Sequence, residues 1–448
     1  MRNPDIQLSL TAPGIAHPHA AELEKISEIL DRNPRMAERV TQDLLHGLQS
    51  PDTGSRGLTG DQVLRILLIK QMNGFSYEEL AFHLADSVTY RRFCRFGAFD
   101  ETPKRSTLAE NLKKLRRKSL DKIHRRLVRY AVELGVETGR RVRTDATVTE
   151  SLVHPPTDSS LLYDGVRVLA RLLGRAREPF GYRPWSDHTK RAKRRSLAVG
   201  NAKGKEARED AYRDLLKVAR WSAGYAERAV EHLKQVEGED RGAALRLADE
   251  LEELTGLVWA VIDQTERRVL LGEPVPAEEK IVSLFEPHTD IIVKDRRDTY
   301  YGHKLFLSAG ASGLITDCLI ARGNPADTDL AVPMLRRHAR IVGRTPEQAA
   351  LDGGFASKDN LKDGKALGIQ DLAFSKKRGL RVSDMTRSTW VYRRLRDFRA
   401  GIEGLISFLK RAFGLGRCTW RGMESFGTYV MGSVIAANAL TLARHLLS

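Results

Sequence analysis

Apolar residues recur every three or four positions along the N-terminal part of the chain, which is the spacing of helices. Residues 20–49 carry this pattern, and a polar loop, SPDTGSRG, follows them. The segment Leu58–Phe99 then divides into three short helical stretches. A long basic helix is predicted to begin at Ser106. The N-terminal part of the chain is therefore predicted to be entirely helical.

The helix ends between Leu58 and Phe99 carry capping residues. Gly74 is placed to end the first helix, and Ser76, with Glu79 three residues later, is placed to cap the second. Ser87 is placed to cap the third. Three short helices around a tight turn resemble a helix-turn-helix module, and a plain three-helix packing unit is the alternative. The DNA-binding interpretation is favoured by three arginines, Arg91, Arg92 and Arg95.

The pattern changes to strict alternation at residues 141–148, which predicts a strand. Residues 149–300 then interrupt the α/β pattern with a basic cluster and two helical runs, Glu206–Val236 and Ala243–Thr265. We interpret this stretch as a helical insertion that either packs structurally or contacts DNA or a second protomer. Its basic cluster, HTKRAKRR, includes Lys193, Arg194 and Arg195.

From His303 onward, short alternating segments and longer helical segments follow one another. Together with the earlier strand they predict a mixed sheet flanked by helices. The predicted strands are 304–310, 314–323, 348–352 and 370–375, and the predicted helices are 327–340, 357–367, 389–413 and 429–447.

The last helix is the one long apolar run, and it contains Asn438, Arg444 and His445. These polar residues favour a buried core helix over a membrane anchor. We expect no membrane association and, because the N-terminus has no apolar core of signal-peptide length, a cytoplasmic protein.

The composition points to a polyanionic partner. Lys and Arg number 74 against 58 Asp and Glu, which gives a net charge of +16. The three cysteines, Cys94, Cys318 and Cys418, stand far apart without a CxxC pair. This spacing argues against a disulfide scaffold or a zinc finger.

Three acidic residues are predicted at positions where α/β folds usually carry functional side chains. Asp145 lies on the first strand, and Asp352 ends another strand just before two glycines. Ligands of open α/β sheets gather outside the carboxyl ends of the strands. Glu403 lies on the helix 389–413, on a face that it shares with Arg399 and Lys410. A salt-bridged surface face is the simple alternative for this helix.

The spacing R-x3-E-x6-K, here Arg399, Glu403 and Lys410, resembles the signature of the DDE transposases of bacterial insertion sequences. The signature normally has Tyr three positions before its Arg, whereas this chain has Arg396 there and Tyr392 one turn earlier. Other segments resemble blocks of the same family, some of them of the ISNCY type. They are LTGDQVLRILLIKQMNGFSYEELAFHL, VRTDATVTES, TESLVHPPTDSSLLYDGVRVL, YYGHKLFLSAG and ALDGGFASKDN.

The resemblance implies an RNase H-like core with Asp145, Asp352 and Glu403 as a catalytic and metal-binding triad. Hard carboxylate oxygens suit Mg2+, with Mn2+ as a possible substitute. Two such ions about 3.5–4 Å apart serve in-line phosphoryl transfer. The partner would be double-stranded DNA, both terminal inverted repeats and target, held by a homodimer in the nucleoid. Contacts to phosphates near the cut are expected from Tyr392, Arg396, Arg399 and Lys410.

We expect three domains. They are an N-terminal helical arm at 1–55, a helical DNA-binding domain at 56–138 and an RNase H-like catalytic domain at 139–448 with the insertion at about 149–300. Two alternatives stay open, a metal-dependent nuclease on the same core and a non-catalytic DNA-binding regulator. Other acids and the pair His288 and His303 have ordinary structural or DNA-facing explanations, because no HxH or HExxH spacing accompanies the histidines.

Overall fold

A computed structural model describes residues 16–48, 57–97, 100–294 and 298–448. Most of the loop predicted at 50–57 lies outside these residues, as does the N-terminal segment considered for a signal peptide. The chain forms two compact units. The first joins Met1–Thr149 with Lys304–Ser448, and the second is Glu150–His303. The predicted three-domain division remains a prediction.

The N-terminal part of the first unit is helical, as predicted. Gly74 ends its third helix in the left-handed conformation, at φ 67°. Ser76 and Glu79 form a complete capping box, and the Ser87 side chain caps the next helix. The helices are α1 (Pro18–Asp31), α2 (Arg35–Leu45), α3 (Gly60–Asn73), α4 (Tyr77–Asp86), α5 (Val88–Phe93), α6 (Arg105–Lys113) and α7 (Arg117–Glu133).

The prediction of one long helix from Ser106 is wrong, because the chain leaves the helical conformation between α6 and α7. Arg116 is extended, with φ −102° and ψ 138°. The buried carboxylate of Asp43 accepts hydrogen bonds from the Arg116 N–H, at 2.9 Å, and from the Ser119 hydroxyl, at 2.8 Å. An acid on α2 therefore fixes the start of α7 and supplies a cap that the local sequence lacks.

The strand predicted at 141–148 is β1 (Arg141–Glu150). In the second unit the predicted helix pair is present as α10 (Lys205–Lys234) and α11 (Arg241–Thr265), preceded by two further helices, α8 (Asp158–Phe180) and α9 (Thr189–Asn201). One apolar core joins these four helices. Strand β2 (Asp290–Lys294) pairs antiparallel with the first half of β3 (Asp298–Gly310), and it lies in a stretch that the sequence did not identify as a strand.

The rest of the first unit follows the predicted order of strands and helices. In this unit the strands lie in the order β4-β3-β1-β5-β6, where β3–β4 is antiparallel and β1–β5 and β5–β6 are parallel. The elements are β4 (Ile315–Ile320), α12 (Asp327–Val342), β5 (Gln348–Leu351), α13 (Lys358–Ala366), β6 (Asp371–Phe374), α14 (Val382–Met385), α15 (Thr389–Ala412) and α16 (Met423–Leu447).

Helix α16 is long and apolar enough to cross a membrane by length and composition, and 94% of its apolar window is buried. It packs against α1, α3 and α7 and contributes to a core with the N-terminal helices. Asn438 in its middle accepts from the Ile315 N–H at 2.8 Å and donates to the Ile315 carbonyl at 2.8 Å. The predicted core helix and the predicted RNase H-like mixed α/β fold are confirmed.

Candidate active site

The pairing of β1 with β5 brings the two predicted aspartates together. Thr144 of β1 lies opposite Leu351 of β5 in a parallel register. Asp145 and Asp352 are the next residues on the two strands, so they lie side by side where β5 ends. This is the edge at which ligands of α/β sheets bind. Both aspartates are partly buried, with side chains 14% and 33% exposed.

Local hydrogen bonds hold the Asp352 carboxylate. It accepts from the Ser375 hydroxyl at 2.9 Å and from the Gly354 N–H at 3.3 Å. Burial raises the pKa of Asp352, but the N–H of Gly353, the charge of Arg399 and the other hydrogen bonds together lower it further. The net pKa of Asp352 lies below its ordinary value, so this side chain is ionised at neutral pH.

Helix α15 places Glu403 and Arg399 at the same edge. Arg399 Nη2 contacts Asp145 Oδ2 at 2.9 Å and Asp352 Oδ1 at 2.8 Å, and Nη1 contacts Glu403 Oε1 at 2.6 Å. The three acids therefore surround one guanidinium. Arg399 is only 15% exposed, and its Nε is buried without a hydrogen-bond partner among the described residues.

The donor set has the chemistry that Mg2+ prefers, since it consists of carboxylate oxygens directed at one cationic group. Within the described ranges, no group of three His, Cys, Asp or Glu side chains is close enough to hold a metal ion. The guanidinium of Arg399 lies among the three carboxylates and accounts for their separation. The three carboxylates are of the type that binds a divalent cation. To bind one together, they require that the Arg399 guanidinium move out from among them.

Several supporting contacts were not predicted. Ser375 follows β6 directly, and Leu351 of β5 pairs with Phe374 of β6, so the strand register could have indicated its contact with Asp352. A Cβ atom on Gly353 would meet the Lys376 side chain at 2.6 Å. A Cβ atom on Gly354 would meet the Asp327 carboxylate, which also pairs with Lys304 at 2.7 Å. The two glycines after Asp352 are thus required by neighbouring side chains.

The other predicted phosphate-binding residues of α15 lie in different environments. Arg396 is exposed and Lys410 is half-buried. Tyr392 is 5% exposed, and its hydroxyl donates to the Phe374 carbonyl at 3.0 Å. A buried hydroxyl that is already paired does not face solvent, which argues against the predicted phosphate contact of Tyr392.

The predicted DNA-binding arginines near α5 are engaged within the protein. Arg91 donates to the carbonyls of Gly97 and Asp100, and Arg92 pairs with Glu24 at 3.4 Å. Arg95 forms ion pairs with Asp31 and Asp61. In the second unit, Lys193 and Arg194 of α9 are exposed, whereas Arg195 pairs with Asp214.

The histidines 288 and 303 form part of a hydrogen-bonded chain in the second unit. Nδ1 of His288 lies 2.8 Å from Nε2 of His303, and the two rings stack. Glu286 contacts the other nitrogen of His288 at 2.8 Å, and Asp290 contacts the other nitrogen of His303 at 2.9 Å. Hydrogen bonds therefore engage all four ring nitrogens, as the structural interpretation of these residues predicts.

Two protein-family models match the chain. Residues 15–114 match a transposase domain (DUF772), and residues 288–439 match a transposase DDE domain. The second match contains Asp352 and Glu403, whereas Asp145 lies between the two matched ranges. Comparisons with curated proteins and with solved structures found no match. The two transposase domains, the first on the N-terminal helices and the second on strands β2–β6 and the helices among and after them, identify the chain as a DDE transposase of an insertion-sequence family.

Proposed function

We propose that the protein cuts DNA at the ends of its insertion sequence and joins those ends to target DNA, with Asp145, Asp352 and Glu403 as the catalytic carboxylates. The observation that carries the proposal is their convergence on Arg399 at the carboxyl edge of the sheet. Two Mg2+ ions, or Mn2+ in their place, held by these carboxylates would activate the attacking oxygen and stabilise the leaving oxygen.

The reaction has two steps of the same kind. Water attacks the phosphodiester at the end of the element, and the bond to the 3′ oxygen breaks to leave a free 3′-hydroxyl. That hydroxyl then attacks a phosphodiester of the target DNA, displaces its 3′ oxygen and joins the strands. Both ends must be handled together, so the proposal includes a homodimer on double-stranded DNA of the nucleoid.

Arg399 changes partners in this proposal. Its terminal nitrogens now contact all three acids, while its buried Nε has no partner among the described residues. Cations bound by the carboxylates would take the place of the guanidinium, which would then be available to a DNA phosphate, a partner that suits its planar, two-pronged donor geometry. Arg396 and Lys410 on the same helix supply further positive charge near the scissile strand.

The test is cleavage of a plasmid that carries the element with its flanking DNA, in Mg2+ or in EDTA. Wild type is compared with Asp145→Asn, Asp352→Asn and Glu403→Gln. Asp397→Asn, an exposed carboxylate of the same helix, is the matched control. We expect metal-dependent nicking and joined products from wild type and the control, and neither from the three variants, which still bind DNA.

Each other outcome identifies a different error. Cleavage that survives in any one of the three variants means that the active site is misplaced. Cleavage without joined products favours the nuclease alternative. Binding without cleavage by wild type favours a DNA-binding regulator.

A further inference from the structure

A cleft of about 640 Å3 lies between the turn that joins α1 to α2 and the helix α7. Pro34 and Met36 line one side of it, and Ile123 lines the other. The cleft belongs to the first unit, and the carboxylate site does not contribute to its lining. Of the eleven described residues that line it, seven are cationic and none is acidic.

The two walls each carry a row of cations. Arg35 and Arg39 are four residues apart on α2, and Arg32 lies in the preceding turn. The opposite wall carries Lys122, Arg125, Arg126 and Arg129 at the spacing that places them on one face of α7. This row spans about 10 Å along the helix axis, which equals about three phosphate-to-phosphate steps of axial rise on one DNA strand.

Only some of these cations are engaged by the protein. Arg126 joins the walls, because its Nε donates to Asn33 at 2.7 Å and its Nη1 pairs with Glu133 at 2.6 Å. Arg129 donates to the Ile341 carbonyl at 3.3 Å. Arg35, Lys122 and Arg125 are exposed at the cleft. This differs from Arg91, Arg92 and Arg95, which are held by carbonyls and carboxylates.

We infer that this cleft binds the phosphate backbone of duplex DNA and is a principal DNA-binding surface of the helical region. The inference rests on the proposed function for the identity of the polyanion. Two rows of cations across a groove hold a strand by charge, without sequence preference. Arg126 sets the spacing of the walls, while Arg35, Lys122 and Arg125 are placed to contact phosphates.

The experiment measures binding of a fluorescent duplex of about 30 base pairs as the salt concentration rises, because each phosphate contact adds about 0.9 to the slope of log affinity against log salt. The test variant is Arg35→Ala/Lys122→Ala/Arg125→Ala. The control is Arg208→Ala/Arg241→Ala/Arg246→Ala, which removes three exposed arginines from the second unit. Both variants lose the same charge, and alanine favours the helical conformation.

We expect the cleft variant to bind at least about tenfold more weakly at low salt, with a slope smaller by about 2 to 3, and the control to match wild type. A wild-type slope in the cleft variant, or an equal loss in the control, overturns the inference. Equal displacement of the duplex by single-stranded RNA of the same phosphate number would also overturn it.

If the cleft variant does not fold, a second measurement on the wild-type protein still tests the inference. Duplex DNA should protect Lys122 from acetylation and leave Lys205, an exposed residue of α10, as reactive as before. Equal reactivity of Lys122 with and without DNA contradicts the inference. Neither measurement uses DNA cleavage. A negative result would therefore disprove DNA binding at the cleft and would say nothing about the proposed cleavage reaction. Conversely, a protein that binds through the cleft and never cuts disproves only the proposed chemistry.

Discussion

Asp145 and Asp352 contact the same atom, Nη2 of Arg399, at 2.9 and 2.8 Å. They are separated along the chain by the whole second unit, Glu150–His303, and by β4 and α12, yet the register of β1 and β5 makes them neighbours. Asp145 Oδ2 and Asp352 Oδ1 therefore lie no farther apart than the sum of these two distances. Two ionised carboxylates at this distance repel each other, and the guanidinium that α15 places between them offsets the repulsion.

The first prediction concerns Arg399→Gln. Loss of the guanidinium leaves the three carboxylates to repel one another, so the free energy of unfolding in EDTA should fall by about 1–3 kcal/mol. Ca2+ or Mg2+ should then stabilise the variant more than wild type, because no guanidinium has to be displaced. Thermal denaturation with and without the cation measures both effects.

Arg396→Gln provides the control for this prediction, since Arg396 is exposed on the same helix. It should behave as wild type in both conditions. If the cation raises the denaturation temperature of wild type and Arg399→Gln equally, then Arg399 does not compete with cations for the carboxylates.

The second prediction compares two glycines of α15. A Cβ atom on Gly401 would overlap with Nη1 of Arg143, whereas nothing described lies within 4 Å of one on Gly404. Arg143 is half-buried and donates to the Phe398 carbonyl at 2.9 Å, a bond that Gly401→Ala would disturb. Gly404→Ala should gain about 0.5–1 kcal/mol from helix propensity, and Gly401→Ala should lose about 1 kcal/mol.

Chemical denaturation of both glycine variants measures this difference. An equal gain in the two variants would mean that Arg143 moves away from Gly401 without cost.

The third prediction is a pH effect from Lys70. Burial lowers the pKa of Lys70 to about 8, and its ammonium donates to the Phe75 carbonyl. Between pH 8 and the ordinary lysine pKa, Lys70 is protonated in the unfolded chain and neutral in the folded one, so this residue contributes stability that rises with pH. Burial raises the pKa of Cys94 and Cys318, which acts in the opposite direction near and above the ordinary cysteine pKa, in wild type and in Lys70→Met alike. The stability of wild type relative to Lys70→Met should therefore rise by about 1–2 kcal/mol between pH 8 and 9.5.

Tyr77, a nearby tyrosine, affects only the upper end of this pH range, because burial raises its pKa to about 12 from an ordinary value that lies above pH 9.5. Tyr77 therefore opposes the trend only above the ordinary tyrosine pKa. Urea denaturation at a series of pH values measures the effect, and equal slopes for wild type and Lys70→Met between pH 8 and 9.5 would contradict it.

The fourth prediction concerns Asp43, the buried acid at the start of α7. Asp43→Ala removes the acceptor for the Arg116 N–H and the Ser119 hydroxyl, and the unfolding free energy should fall by about 2 kcal/mol. Asp43→Asn keeps one acceptor oxygen and should lose less. Gln42→Ala, on the exposed side of α2, should change stability by less than about 0.5 kcal/mol. Equal effects at positions 42 and 43 would mean that Asp43 is not the cap.

Local pattern identified most of the elements around the candidate site. The alternation of Val142, Thr144, Ala146 and Val148 marks β1, and all four residues are buried or half-buried on one face. The helical spacing of α15 placed Glu403 and Arg399 on one side, where they form an ion pair. These features depend on side-chain period along a single segment, which is why the sequence alone predicts them.

Features that depend on distant residues were missed. The basic stretch from Ser106 has no helix-breaking residue, and the break comes from Asp43 on another helix. Helix α9 and strand β2 lie in stretches of mixed polarity that have no clear period. Helix α8 is different, because Leu162, Val166, Leu169 and Leu173 recur at helical spacing and could have predicted it. The DNA-facing interpretation of Arg95 did not anticipate its pairing with Asp31 and Asp61.

The sequence by itself determined the fold class, the order of most elements of the first unit, the transposase family and the three acids proposed for catalysis. Each of these follows from local periodicity or from short sequence motifs. Only the tertiary structure decided that Arg399 lies among the three carboxylates and that the exposed cations of the helical region gather between α2 and α7. Strand register and helix packing set these neighbours, and both are long-range contacts that no local spacing specifies.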